Sequence, residues 1–122
     1  MTLFRRTASV TALGCLALCG MLVVNGGQYA AMFGIAPDQG AGFVARRAAP
    51  VFAGLTVMLW LLRDLPTGSA RDGLCIGMAV LWWGIAASGI AEYVTGQAGS
   101  TILIAAMVEV ILGLVFVIAR RR

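Results

Sequence analysis

Four runs of apolar residues divide the chain, with short polar stretches between them. They cover about Thr7–Val24, Phe43–Leu62, Leu74–Tyr93 and Thr101–Ala119. Each approaches the roughly 20 residues that a helix needs to cross about 30 Å of hydrocarbon. Asn25-Gly26-Gly27 reads as a stop for the first helix. Pro66-Thr67-Gly68-Ser69 and Thr95–Ser100 read as the turns around the third. The pattern predicts an all-α fold, an integral membrane four-helix bundle. Its short loops make sequential helices antiparallel neighbours. Between the first two runs, Tyr29, Met32, Phe33 and Ile35 predict a short turn of helix at the membrane interface. Pro37-Asp38-Gln39-Gly40 then reads as a turn.

Composition strengthens the membrane reading. The chain is 61% hydrophobic and 11% charged, against about 25% charged for a soluble domain. A fold of 122 residues has too little interior to hide that much apolar surface from water. The length fits one domain, residues 1–122, made of the four spans. The first run resembles a secretory signal in its basic residues and apolar stretch. Asn25-Gly26-Gly27 is a poor cleavage site, so an uncleaved span is expected.

Charge then gives orientation. All nine basic residues are arginine, there is no histidine, and the net charge is +4. The arginines flank the apolar runs instead of forming one patch, so nucleic acid is not an expected partner. The bilayer is, and the terminal arginines can attract anionic headgroups. With the N-terminus in the cytoplasm, Arg5, Arg6, Arg63, Arg71, Arg120, Arg121 and Arg122 lie inside, and only Arg46 and Arg47 lie outside. That bias predicts that both termini are cytoplasmic.

Arg46 and Arg47 are energetically odd. Only Ala48–Leu62, 15 residues, separates them from Arg63. That run spans roughly 22 Å, so the second helix must reach back toward Phe43 and draw both arginines to the outer membrane boundary. Glu92 ends the third run at the same side. Glu109 lies eight residues beyond Thr101, roughly 12 Å below that surface. A charge within a span costs about 2.5–3.5 kcal/mol at the bilayer centre, so it is paired, protonated or turned to a cavity. Arg46, Arg47, Glu92 and Glu109 therefore form a candidate buried charge cluster. Two stripes of small residues, Gly77, Gly84 and Ser88 leading to Glu92, and Arg46, Pro50 and Gly54 with Ala45, Ala49 and Ala53 beside them, are expected to face one another.

Other chemistry is sparse. Cys15, Cys19 and Cys75 include no CxxC pair, and Cys15 and Cys19 share a helix face at a spacing that does not favour a disulfide. They read as packing residues. Without histidine or a cysteine cluster, no metal site, haem or other cofactor is expected. Trp60 fits an interfacial belt, and Trp82 and Trp83 fit packing or lipid contact.

Phe33-Gly34-Ile35, Arg46 or Arg47, Gly54, Gly96 and Glu109, in this order along four spans, resemble small bacterial four-helix membrane proteins that are DoxX-like in general architecture. The resemblance implies a multi-pass protein of the bacterial cytoplasmic (inner) membrane and a loose association with quinone or redox chemistry. On the residues, the expected role is non-catalytic, an accessory or interaction protein with a membrane protein partner or a second copy of itself. Two alternatives stay open. One is a small oligomeric transporter using Glu109 or Glu92 as a proton or cation site; the other is a subunit of a quinone-linked enzyme.

Overall fold

The computed structural model describes residues 2–122. Among them the chain forms four helices and no strand: α1 (Leu3–Met32), α2 (Gln39–Leu62), α3 (Ser69–Val94) and α4 (Thr101–Ala119). All four are long and apolar enough to cross a membrane. The chain divides into two compact units, Ala8–Arg63, and Met1–Thr7 with Asp64–Arg122.

In the Ala8–Arg63 unit, Asn25-Gly26-Gly27 bends the first helix instead of ending it. Asn25 leaves helical geometry (φ −136°, ψ 40°), and the helix resumes to Met32. The expected interfacial turn around Tyr29 and Met32 is thus the last part of α1. The true stop is Phe33-Gly34-Ile35. Gly34 takes φ 75°. The Gly34 N–H donates to Ala31 O at 3.0 Å, and the Ile35 N–H to Ala30 O at 3.1 Å. This paired arrangement closes a helix and needs a residue that tolerates positive φ. Gly96 does the same after α3, with φ 77°. There the Gly96 N–H meets Tyr93 O and the Gln97 N–H meets Glu92 O.

α2 starts at Gln39, four residues before Phe43, where Asp38 Oδ1 accepts the Ala41 N–H at 2.7 Å. Its 24 residues give about 36 Å, which removes the shortfall of the Ala48–Leu62 run. The helix passes through Pro50, which can tolerate the lost amide donor only at some local cost. Leu22, Ala45 and Ala49 form the buried contact between α1 and α2, with Cys19, Tyr29, Ala48 and Phe52 against them. The bend brings backbone close. A Cβ on Gly26 would stand 2.5 Å from that of Ala45, so only glycine fits. Farther along, Thr56 Oγ1 lies 2.8 Å from Phe52 O and 3.2 Å from Ala12 O, sharing its proton between its own helix and α1.

The other unit packs α3 on α4. Arg71, Cys75, Met78, Ala79, Trp82, Ala86 and Gly89 are the buried positions of α3; their spacing of three and four marks one helical face. On α4 the buried positions are Ala106, Gly113, Phe116 and Ala119. The Trp83 indole lies where a Cβ on Gly113 would be, and its Nε1–H donates to Val110 O at 3.2 Å. Ile102 packs against Gly89.

The expected small-residue faces are corrected in part. Ala45 and Ala49 are buried, but Arg46, Pro50 and Gly54 are exposed, as are Gly77, Gly84, Ser88 and Glu92. On α3 the buried face includes the bulk of Met78 and Trp82, and Trp83 fills the space at Gly113 of α4, while the smooth stripe is exposed.

Candidate functional site

Polar side chains in an apolar chain are few, so each can be followed to what it touches. Arg71 is the most deeply buried, 3% exposed. The third run as read from sequence begins at Leu74, but α3 begins at Ser69, with Asp72 in its first turn. That early start carries Arg71 into the packed unit. Its Nη2 donates to Ala119 O at 2.5 Å and to Arg122 O. The guanidinium carbon stands 4.3 Å from the centre of the fully buried Phe4 ring. The Phe4 N–H donates to the same Arg122 carbonyl at 3.2 Å. A cation here meets the carbonyl-rich end of α4, where positive charge is favoured by about 0.3–2 kcal/mol. Arg71 thus ties residues 4, 71, 119 and 122 together; it was counted from the sequence only as a topology signal. Nearby, Arg5 Nε and Asp64 Oδ1 pair at 3.1 Å, both side chains well exposed.

The four candidate cluster residues fall in different units. Arg46 and Arg47 are exposed on α2, Arg47 with its guanidinium carbon 5.8 Å from the Phe43 ring centre. Glu92 is exposed in the last turn of α3. Glu109 is half-buried on α4, with buried Ala106 and Gly113 beside it. Within its own unit and among the described residues, no hydrogen bond or ion pair reaches the Glu109 side chain.

A concave feature lies between α1 and α2. It is a groove of about 660 Å³ whose walls include Leu22, Tyr29, Phe33, Ile35, Val44 and Phe52. Tyr29 and Phe33 meet edge to face, ring centres 5.2 Å apart at 81°, which stiffens one wall. The groove's α1 wall lies on both sides of the Asn25 bend, from Leu22 to Phe33, ahead of the stop at Gly34. Its volume is in the range of small-molecule sites. A second, more polar cavity of about 620 Å³ adjoins it, lined by Pro37, Asp38, Gln39, Phe43 and Arg46 among others. Asp38 lines both. Sequence reasoning missed the groove. Its traces were Gly26, Ala30, Ala41, Ala45 and Ala48, small residues on two segments that cannot be paired by inspection.

No group of three or more potential metal-ligating side chains converges among the described residues. The chain matches no protein-family model, no curated protein and no solved structure.

Proposed function

We propose that the chain is a non-catalytic accessory protein of the bacterial cytoplasmic membrane that holds an apolar guest, a lipid or a partner's membrane segment, in the groove between α1 and α2. Both chain ends lie on the cytoplasmic side, neighbouring helices run antiparallel, and the groove opens toward the outer leaflet. The arginine distribution supports the orientation. The contact pairs 71 with 119 and 83 with 110 support the opposed directions of α3 and α4. The observation that carries the function is the groove itself, a preformed apolar cavity in a chain whose best-ordered polar contacts are spent on its own backbone.

Extraction in a mild detergent, followed by mass spectrometry of co-purifying proteins and lipids, tests this reading. The wild-type chain retains one guest in fixed stoichiometry. Val44→Trp, which fills the groove from an exposed position, releases it. A guest unaffected by Val44→Trp overturns the reading.

Glu109, half-buried without a partner in its unit, also favours a second reading as a proton or cation site. Glu109-dependent uptake in sealed vesicles is its check.

A further inference from the structure

The groove has an apolar body and a charged rim, and the rim's charges are not equivalent. Asp38 already accepts the Ala41 N–H at 2.7 Å and stands at the start of α2, where the helix favours a negative charge. Its carboxylate is therefore committed to the fold. Arg46 is exposed and lines the polar cavity, and within its unit no acceptor is bonded to it among the described residues. Its Nη1 lies back along α2, 3.3 Å from where a Cβ on Gly42 would stand. Arg47 adds a second exposed cation one residue away. Around the polar cavity two arginines thus stand against the single carboxylate of Asp38, next to a groove wall of aromatic and aliphatic side chains. A guest that satisfies both parts has an apolar chain and a negative head.

Resting on the groove reading above, we infer that the site between α1 and α2 binds a phospholipid with a net-anionic headgroup. One acyl chain lies along Tyr29, Phe33, Val44 and Phe52, and the headgroup meets Arg46. Arginine suits this contact because its planar fork matches a phosphate. A zwitterionic choline lipid brings a cation toward the same arginine and is disfavoured, so the rim discriminates by repulsion as well as attraction. The apolar wall contributes affinity common to all lipids; the arginine contributes the preference.

Native mass spectrometry of the full chain released from vesicles of equal phosphatidylglycerol and phosphatidylcholine tests this. The wild type retains one phosphatidylglycerol, in preference to phosphatidylcholine by about fivefold or more. Arg46→Gln brings the two lipids to equal retention, and Arg47→Gln changes the ratio less than twofold. Val44→Trp loses both. If the wild type holds both lipids alike, or Arg46→Gln keeps the preference, the headgroup inference is overturned while the groove reading stands. If Val44→Trp retains lipid as the wild type does, both fall; a partner helix or a second copy found in the groove overturns the lipid inference alone. Should Val44→Trp fail to accumulate, a photoreactive phosphatidylglycerol replaces it. The site requires labelling of the wild type within residues 22–52, and labelling confined elsewhere overturns it.

Discussion

Arg71 and Arg46 are the same side chain put to opposite uses. Arg71 is buried in a packed unit with Nη2 on two carbonyls of its own chain, its guanidinium over the Phe4 ring and Nε without a bonded partner. Arg46 is exposed and lines the polar cavity that adjoins the groove at Asp38, with no acceptor of its own unit bonded to it among the described residues. An arginine inside a membrane protein is costly unless its donors are met. One solution meets part of them by folding, through Nη2 alone. The other leaves them for something outside the chain. The difference teaches where to look for function in an apolar protein. The deepest charge is not the best candidate, because depth is reached by satisfying the group internally. The shallower charge, exposed and lining a polar cavity, is the better one.

The largest expected effect falls on the satisfied arginine. Arg71→Met keeps an apolar stem of similar length but removes the guanidinium from the Phe4 ring and from the Ala119 and Arg122 carbonyls. Bonds from a charged donor are worth about 1.5–3 kcal/mol each, and relief of a buried charge offsets part of the loss. The net destabilisation is on the order of 3 kcal/mol, read from reversible denaturation in detergent or bicelles. Arg71→Lys falls between the two, since both bonds come from one nitrogen. A stable Arg71→Met protein would show that the junction is incidental and would erase the contrast with Arg46.

Much of this architecture could be read from the sequence, and the boundary of what could is physical. The four helices were legible because membrane crossing imposes length and apolarity on contiguous residues. Two of the residues in the family resemblance also have a local role. Gly34 and Gly96 close α1 and α3 by a backbone geometry that glycine adopts freely, which any helical protein can use. The role of Arg71 was not legible. It depends on α3 starting five residues before Leu74 and on partners 48 and 51 positions away. The groove was hidden for a related reason: a cavity is a property of two segments and the angle between them, and hydropathy reports neither. Glycine was misread in both directions. Asn25-Gly26-Gly27 promised a stop and gave a bend with a close contact, whereas the stripe through Gly77 and Gly84 promised contact and lies open.

That last pair gives the intermediate test. Gly26→Ala forces a Cβ to within 2.5 Å of Ala45 at the neck of the groove. Overpacking of this kind costs about 1–3 kcal/mol. Gly77→Ala meets nothing within 4 Å and replaces glycine inside a helix, so stability rises by about 0.4–1 kcal/mol. The two changes add the same methyl group and move the unfolding midpoint in opposite directions. Gly26→Ala also reduces lipid retention, because that contact lies at the neck of the groove. If both substitutions are neutral, the α1–α2 contact is looser than described and the groove has no fixed shape to bind with.

The smallest expected effect is the most discriminating. Arg46→Met changes stability by less than about 0.5 kcal/mol in a neutral detergent, because an exposed side chain without a bonded partner contributes little to folding. In bicelles containing phosphatidylglycerol the same substitution becomes visible. A ligand that binds only the folded state stabilises it by RT ln(1 + [L]/Kd), so the wild type gains stability as the anionic lipid fraction rises. Arg46→Met gains less, and the two unfolding curves separate progressively with lipid. With Arg71→Met the order is reversed: the loss is full without lipid and does not grow with it, since Arg71 bonds its own carbonyls in either medium. An Arg46→Met deficit that is already complete in neutral detergent would mean that Arg46, like Arg71, is satisfied by the chain, and the two regions would then differ in burial alone.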